Sequence, residues 1–429
     1  MAQDSTSRGS RPSGSRTGSR RDTSRVVEHS PNKPTDKVDN RSGKPDTTRV
    51  VKAAVERKWR VAVVAPALDF NGISLYAVTL VKALAGRGDE VLLISQSGPL
   101  LSALAGVPFQ HYELPRSGLG FFGWGNLKTA VQAFAPEVLH AMSPQRQLPA
   151  VRLADTLVRP LCVTVHGVKA EDLPRVEDTS FDGYIATDAA VRERLVNDCR
   201  LSRSLVTQIN LAVQPVRPPQ ESHVMDQKAT PAVGMVGPLE PGVGFEAFIE
   251  AVNRICAKSS RPIFSVLGDG PRRSEIRKMA EDRGLLQRVV MLDKLYDYSL
   301  AWRPFDVVFV DTRQPASGMI VLGAMAYGLP VVATEGGAVF DIIEDGIDGL
   351  LVQRDDPEQL AQRLLMLIEN HGERLRMGRA AFARVENAFS PERLVSAMHE
   401  TYAALEIGDA LPRQGEGSPA SKRPTRSLT

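Results

Sequence analysis

Short apolar segments that alternate with helical segments constrain the fold of this chain more than any other feature. In the first half, RVAVVA (60–65) is followed by a segment with helical spacing, ISLYAVTLVKALAGRG (73–88), and then by EVLLIS (90–95). Continuous apolar strands joined by helices are typical of a parallel sheet with helices on both faces. We therefore predict a doubly wound, Rossmann-like α/β domain over residues 57–213.

The same alternation starts again after a Pro-rich polar stretch at residues 214–230, which we interpret as an interdomain linker. The runs AVGMVG (232–237), DVVFVD (306–311) and LPVVAT (329–334) are strand-like, and helical segments lie between them. This pattern predicts a second α/β domain over residues 231–390.

The two ends of the chain differ from these domains. Residues 1–56 and 409–429 are rich in Ser, Arg, Thr and Pro. They hold too few apolar side chains to offset the entropy of ordering, so we expect them to be disordered. Between the second domain and the C-terminal tail, a last helix is predicted over residues 391–408, with Pro391 at its first position.

Basic residues are concentrated in these tails. The net charge of the chain is +3, but residues 1–60 carry +8 and residues 409–429 carry +2, which leaves −7 on the body between them. A negatively charged body gives no electrostatic reason to expect nucleic acid as a partner. We interpret the N-terminal tail as a solvated segment, with contact to anionic lipid or to a protein partner as the alternative.

Cysteine usage and hydropathy bear on the cellular environment. Cys162, Cys199 and Cys256 are widely spaced and form neither a disulfide framework nor a metal-binding pair, which predicts a reducing cytoplasm. The N-terminus lacks the apolar segment of a secretory signal, and no run of apolar residues is long enough to span a membrane. Without a His/Asp cluster, neither a metal nor a cofactor is expected.

Three motifs of the second half follow one another in a specific order and spacing, namely LGDGP (267–271), LGAMAYGLPVVATEGG (322–337) and DIIEDGIDGLLV (341–352). With looser matches at VTVHG (163–167) and IATDAAVRERL (185–195), the chain resembles the GT-B glycosyltransferases, in particular the retaining group called family 4. The resemblance implies two Rossmann-like domains facing a cleft and a last helix that crosses back to the first domain. It also implies transfer of a hexose from a nucleotide-diphosphate sugar to a glycan or lipid-linked acceptor.

In that family, four charged side chains complete the donor site. An Arg and a Lys neutralise the diphosphate, and two Glu eight positions apart bind the transferred sugar and the ribose. Carried over along the motifs, these positions hold Pro238, Val243, Pro315 and Gly323. Removing one preorganised contact to developing charge typically costs about 3 kcal/mol in the transition state.

The substitutions leave more than one function open. The chain could be a transferase that uses other donor contacts, or a catalytically inactive relative that serves as a scaffold or regulatory partner. The sugar-nucleotide epimerases of the same fold are a third class, but their carboxylates and basic residues are not evident in this sequence either.

Several residues could replace the missing donor contacts. Arg272, Arg273 and Arg313 are nearby cations, and Glu240 and Glu335 are nearby carboxylates, although each could also be a solvated loop charge. Glycines could bring backbone N–H groups close to a ligand, or could only allow tight turns. The glycines in question are Gly237, Gly268, Gly270, Gly318 and Gly337.

In the first domain the resemblance points to two further places. Asn71 and Gly72 open the first helix, where the family has a Gly-rich loop near the donor phosphates. His166 ends a strand where the family often has a His that contacts the sugar or the acceptor. A single His is otherwise usually structural.

An aromatic stretch, RSGLGFFGWGNLK (116–128), places Phe121, Phe122 and Trp124 among glycines just before a predicted helix. Aromatic side chains favour the headgroup region of a membrane, so this loop could contact a lipid surface or a lipid-linked acceptor. The alternative is that the three rings cap the core of the first domain.

Overall fold

The computed structural model describes residues 56–115, 120–144, 148–216, 230–259, 261–292 and 301–410. The predicted tails and the predicted linker lie almost entirely outside these residues. The described chain forms two parallel sheets with helices between their strands. The prediction of two Rossmann-like α/β domains is therefore confirmed.

The first domain has these elements among the described residues: β1 (Arg60–Val64), α1 (Gly72–Arg87), β2 (Glu90–Ser95), β3 (Gln110–Glu113), α2 (Phe121–Phe134), β4 (Val138–Ala141), α3 (Leu148–Leu157), β5 (Leu161–Val165), β6 (Gly183–Ala186), α4 (Ala189–Asn197) and β7 (Val206–Gln208). The strand order is β3-β2-β1-β4-β5-β6-β7. Ala62 of the central strand β1 aligns with Leu92 on one side and with Leu139 on the other. The winding reverses between β1 and β4, which is where doubly wound sheets open a crevice at the carboxyl ends of their strands.

The second domain and the last helix comprise β8 (Ala232–Val236), α5 (Phe245–Lys258), β9 (Ile263–Leu267), α6 (Arg273–Glu281), β10 (Val289–Leu292), β11 (Val307–Val310), α7 (Gly318–Ala326), β12 (Val331–Thr334), α8 (Val339–Ile342), β13 (Leu350–Val352), α9 (Pro357–Glu369), α10 (His371–Ala388) and α11 (Pro391–Ala410). The strand order is β10-β9-β8-β11-β12-β13, so this sheet reverses its winding between β8 and β11. Both sheets therefore have the same topology around their switch points.

Helix α1 shows why local sequence signals predict this fold well. The side chain of Asn71 caps the helix by accepting a hydrogen bond from the Ser74 backbone N–H at 3.0 Å. The helix ends at Gly88, which has a left-handed φ of 97°. The predicted helix at residues 73–88 is thus displaced by one residue from the observed one.

Helix α2 differs from the expectation at its start. The aromatic residues Phe121, Phe122 and Trp124 were predicted to lie in a loop before a helix, but they form the first turn of the helix itself. The adjacent glycines Gly123 and Gly125 are weak helix formers, which is why the sequence favours a loop here.

The two domains are joined by a shared apolar core and by α11. Leu75 of α1, Met319 of α7 and Tyr402 of α11 belong to one buried cluster. The Tyr402 hydroxyl lies 2.7 Å from His140 Nδ1 on β4, so α11 packs on the first domain. The predicted crossing of the last helix is confirmed.

Candidate functional site

A cavity of about 80 Å³ lies where loops from both domains meet. The first domain contributes His166 after β5 and Asp188 after β6, and the second contributes residues 312–318 after β11 and Arg354 after β13. Because these loops follow the carboxyl ends of parallel strands, the cavity lies where doubly wound folds bind their ligands. We call it the cleft cavity.

His166 is 6% exposed and lines this cavity. Neither ring nitrogen has a partner with full hydrogen-bond geometry within the described residues, although the backbone of Met142 lies close enough to oppose the effect of burial on the pKa of the ring. The ring packs edge-on against Tyr76, with 4.8 Å between ring centroids. Burial lowers the pKa of His166 to about 3, so the imidazole is neutral at pH 7. A buried polar side chain without a partner is uncommon and indicates a place where a ligand or water can bind.

The loop between β11 and α7 closes directly against the first domain. The backbone N–H of Ala316 donates to the carbonyl oxygen of His166 at 3.2 Å. A Cβ added at Gly72 would overlap the carbonyl oxygen of Ala316. Ala316 also has a φ of 55°, which is uncommon for a residue other than glycine. The predicted Gly72 therefore permits close contact between the domains.

Arg313, one of the predicted cations, lines the cleft cavity. Its guanidinium pairs with Asp311, with Nη2 and Oδ2 2.8 Å apart, and Nη1 lies 3.0 Å from Oδ1 of Asp355. The hydrogen bonds to Asp311 raise the pKa of Arg313. This cation is thus held between two carboxylates at the edge of the cavity.

The other two predicted cations do not line the cleft cavity. Arg272 pairs with Glu246 and Glu275 on the neighbouring helices α5 and α6. Arg273 donates to the carbonyl oxygen of Leu292 at 2.9 Å. Both side chains therefore have partners in the second domain.

The four positions of the family's charged side chains fall in different surroundings. Val243 is 3% exposed and packs in the apolar core of the second domain, whereas Pro238 is half-buried. Pro315 lines the cleft cavity, and Gly323 lines a second, larger cavity. The four positions to which the resemblance assigns charged side chains thus hold uncharged residues, in the cleft lining, in the helical cavity and in the loop before α5.

The larger cavity has a volume of about 900 Å³ and runs along α1 and α7 to the start of α11. We call it the helical cavity. Its apolar lining includes Leu75, Met319 and Trp302, and its charged lining includes Lys82 and Glu392. Because Gly318 lines the cleft cavity and Gly323 the helical cavity, α7 forms a wall of both.

Two predicted glycines are explained by contact between backbones. A Cβ at Gly268 would overlap the carbonyl oxygen of Gly237, and a Cβ at Gly270 would overlap that of Leu239. The loops after β8 and β9 can therefore pack against each other only with glycine at these positions. Gly337, like Gly318, lines the cleft cavity.

The predicted carboxylates lie elsewhere. Glu240 and Glu335 are exposed and line neither of the two cavities. The backbone carbonyl of Glu335 accepts a hydrogen bond from Arg354 Nε at 3.0 Å, so this residue orients Arg354 through its backbone.

Four charged residues of the cleft cavity were missed by sequence reasoning: Lys169, Asp172, Asp188 and Arg354. Asp188 caps α4 by accepting from the backbone N–H of Val191 at 2.9 Å. Burial raises the pKa of both Asp172 and Asp188. Asp188 and Arg354 each follow a strand by two residues, so the rule that sites form at strand ends could have identified them.

The aromatic residues at the start of α2 lie in a mixed environment. Phe122 is 84% exposed. Trp124 packs against the core of the first domain, and the Arg152 guanidinium lies 4.9 Å from its ring centroid. The side chain of Phe121 lies outside the described residues. Trp124 thus fits the expected cap on the core, and membrane contact through Phe122 stays a prediction.

Among the described residues, every helix is too short or too polar to span a membrane. No group of three or more His, Cys, Asp or Glu side chains in the same residues could hold a metal ion.

Comparison with known proteins relates both domains to sugar-transferring enzymes. Residues 70–217 match the family model "Glycosyltransferase Family 4", and residues 230–370 match "Glycosyl transferases group 1". The Anabaena protein HepE, whose crystal structure is in complex with UDP and glucose, superposes with a TM-score of 0.67 at 18% identity. That alignment covers 81% of this chain and 100% of the HepE chain.

Curated relatives give the same picture at higher identity over shorter lengths. A D-inositol 3-phosphate glycosyltransferase of Corynebacterium efficiens is 28% identical over 197 residues, which is 43% of this chain and 46% of that protein. The sulfoquinovosyl transferase SQD2 of Arabidopsis thaliana is 23% identical over 394 residues, or 82% of this chain and 75% of that protein. The chain spans about half the length of the first curated relatives that it matches. With family models matching both of its domains, the chain belongs to the GT-B glycosyltransferases and carries a family 4 domain followed by a group 1 domain.

Proposed function

We propose that this protein transfers a hexose from a nucleotide-diphosphate sugar to a glycan or lipid-linked acceptor, using donor contacts that replace the family's four charged side chains. The observation that carries the proposal is His166, a buried imidazole that makes no hydrogen bond of full geometry within the described residues and lines a cavity built by both domains. Such an imidazole can form a hydrogen bond with a sugar hydroxyl, because a hydroxyl can both donate and accept a hydrogen bond.

The protonation state of His166 limits its role. With a pKa of about 3, the ring is neutral near pH 7 and cannot supply a proton as a general acid. A neutral imidazole offers one N–H donor and one nitrogen acceptor. His166 therefore orients the sugar in the cleft, and departure of the diphosphate depends on cationic residues.

The two cavities suggest how the donor would lie. The cleft cavity, at about 80 Å³, is too small for a whole nucleotide sugar, since ligand pockets typically measure on the order of 300–1,000 Å³. The helical cavity, at about 900 Å³, includes Gly323, the position of the family's ribose-binding Glu. Gly318 and Gly323 are five residues apart on α7 and therefore lie about 140° apart around the helix axis, so the helical cavity does not continue the cleft cavity along one face of the helix. We place the sugar and diphosphate at the start of α7, where His166 and Arg313 line the cleft cavity.

The relatives support the chemical class and leave the acceptor open. HepE was crystallised with UDP and glucose, which makes a uridine nucleotide the first donor to test. The names of the two curated relatives refer to an inositol phosphate and to a sulfoquinovosyl group. These are different acceptors and sugars, so neither is assigned to this protein.

A second function, a catalytically inactive partner protein, is favoured by one specific observation. Arg313, the predicted cation that lines the cleft cavity, is already paired with Asp311 and Asp355. If these pairs are permanent, no cation of the β11–α7 loop is available to a diphosphate. The chain would then keep the shape of a donor cleft without its charge.

Binding and turnover measurements separate these functions. We expect UDP and UDP-glucose to raise the thermal stability of the protein, by about 2.7 kcal/mol at a hundredfold excess over the dissociation constant. UDP-glucose should bind more tightly than UDP, and His166→Phe should remove that difference without weakening UDP. Tight binding without release of UDP in the presence of acceptors would favour the inactive partner. No stabilisation by uridine, guanosine or adenosine diphosphates would contradict the proposed function.

A further inference from the structure

We propose that Arg313 has taken over diphosphate binding from the missing loop cation, and that Asp311 is its positioning residue. This inference rests on the proposed function and names the residue that serves the diphosphate. In the family the Lys of the donor loop precedes the first helix of the second domain, at the position of Val243. Here the cation comes from a different loop, between β11 and α7.

The guanidinium of Arg313 lies beside Gly244, the residue that follows the position to which the resemblance assigns the family's loop Lys. A Cβ added at Gly244 would overlap Arg313 Nη2 and would lie 2.5 Å from Asp311 Oδ2. Gly244 directly follows Val243 and is the N-cap of α5. Glycine at this position therefore makes room for a charged pair beside the first turn of α5. Because Val243 itself is buried in the apolar core, it contributes no charge there.

Asp311 fixes the orientation of this guanidinium. Its side chain is 1% exposed, and it accepts from Arg313 Nε at 2.9 Å and from Nη2 at 2.8 Å. The same carboxylate also accepts from the backbone N–H of Arg313 at 3.0 Å. A buried carboxylate with this fork-like geometry holds the planar guanidinium in one direction.

The third nitrogen of Arg313 has a partner that a diphosphate can displace. Nη1 lies 3.0 Å from Asp355, whose side chain is 69% exposed. Ion pairs with an exposed partner contribute little to stability because water screens them. A diphosphate carries more charge than one carboxylate, so it can replace Asp355 on Nη1 while the pair with Asp311 stays intact.

An independent feature indicates that a ligand belongs beside Arg313. The cleft cavity that Arg313 lines also contains His166, which is nine-tenths buried and has no partner with full hydrogen-bond geometry for either ring nitrogen within the described residues. Arg354 and Lys169 line the same cavity and add positive charge, which the carboxylates of Asp172 and Asp188 in the same lining partly offset. The sugar-binding group and the cation are therefore in one space, as a sugar diphosphate requires.

The chain offers a matched control for this inference. Arg272 lies at the same end of the second domain and is also paired with two carboxylates, Glu246 and Glu275. Unlike Arg313, it does not line the cleft cavity. Any effect of losing an ion-paired, largely buried guanidinium should appear in both Arg→Gln variants. Loss of a diphosphate contact should appear only in Arg313→Gln.

The test is calorimetric titration of the full chain and its variants with uridine, UDP and inorganic pyrophosphate. We expect Arg313→Gln to weaken the binding of UDP and of pyrophosphate at least tenfold and to leave the binding of uridine unchanged. Arg272→Gln should change the affinity for none of the three ligands. Arg313→Lys should weaken UDP binding less than Arg313→Gln does, because lysine keeps the charge but lacks the two parallel N–H donors of a guanidinium. Asp355→Asn should tighten UDP binding several-fold, since it removes the competing carboxylate.

The outcomes distinguish this inference from the proposed function. If the unsubstituted chain binds UDP and Arg313→Gln binds it equally well, only the role of Arg313 is overturned. If Asp355→Asn weakens UDP binding, the inference that the diphosphate replaces Asp355 on Nη1 of Arg313 is wrong. If no nucleoside diphosphate binds the unsubstituted chain, both proposals fail together. Should Arg313→Gln not fold, Arg313→Lys and Asp355→Asn carry the test.

Discussion

At the level of single residues, two glycines of the same helix have opposite surroundings. Gly72 opens α1 and meets the backbone of Ala316 from the other domain, so a Cβ has no room there. Gly86 lies near the end of the same helix, and an added Cβ would find no atom within 4 Å. The pair therefore separates the effect of domain contact from that of helix propensity.

We expect Gly72→Ala to lower the free energy of unfolding by about 1–3 kcal/mol, because the backbone of Ala316 has to move away. Gly86→Ala should instead raise it by roughly 0.5–1 kcal/mol, since alanine loses less entropy than glycine in a helix. Urea denaturation of both variants measures the two changes. Equal stability of Gly72→Ala and the unsubstituted protein would show that the domains do not touch at this point in solution.

At the level of elements, α11 is attached to the first domain by buried polar contacts as well as by apolar packing. His399 Nε2 lies 2.7 Å from Asp89 Oδ2, and neither side chain is exposed. The other oxygen of Asp89 accepts from the backbone N–H of Trp59 at 2.9 Å. One carboxylate thus joins the last helix of the chain to the beginning of the first sheet.

Removing His399 should leave the buried Asp89 with the backbone N–H of Trp59 as its remaining hydrogen-bond donor among the described residues. We expect His399→Ala to cost about 3–5 kcal/mol of unfolding free energy, the usual penalty for breaking a buried pair. The neighbouring Glu400 is exposed, so Glu400→Ala should change stability by no more than about 0.5 kcal/mol. Chemical denaturation compares them, and equal effects would mean that the buried pair is not what anchors α11.

Elements could be predicted from the sequence where their signals are local. The predicted helix at residues 73–88 matches α1 to within one residue because the cap at Asn71 and the stop at Gly88 lie within the segment itself. The start of α2 could not be predicted, because the glycines that follow Phe121 are weak helix formers but lie within the helix in the structure. Trp124 packs against the first domain's core, a tertiary contact that propensity does not include.

At the level of the whole molecule, the strands that carry the cleft could be predicted, but the contacts across it could not. The hydrogen bond from Ala316 to His166 joins residues 150 positions apart in the sequence. The motifs identified Arg313 and His166 separately, yet nothing in them shows that both line one cavity with Arg354. Such contacts depend on how the two sheets are brought together, which no local pattern encodes.

The buried imidazoles also make the stability of the whole molecule depend on pH. Burial lowers the pKa of His140 and of His166 to about 3, from an ordinary value of 6.5. Below pH 6.5 the unfolded chain therefore binds protons that the folded chain does not. The stability that the two neutral imidazoles contribute is complete above pH 6.5 and is lost as the pH falls towards 3. Asp188 has the opposite effect on stability, because its raised pKa means that the folded chain binds its proton at a higher pH than the unfolded chain does.

Comparing variants isolates one imidazole from the other titrating groups. Between pH 7.5 and pH 5, each buried neutral His should remove about 2 kcal/mol of unfolding free energy, which follows from about 1.4 kcal/mol per proton and pH unit. His166→Phe should therefore be less sensitive to pH than the unsubstituted protein by about that amount, although it keeps a ring against Tyr76. Urea denaturation at several pH values gives both curves. Parallel curves would mean that His166 takes up a proton in the folded state, and its neutral role in orienting the sugar would then have to be abandoned.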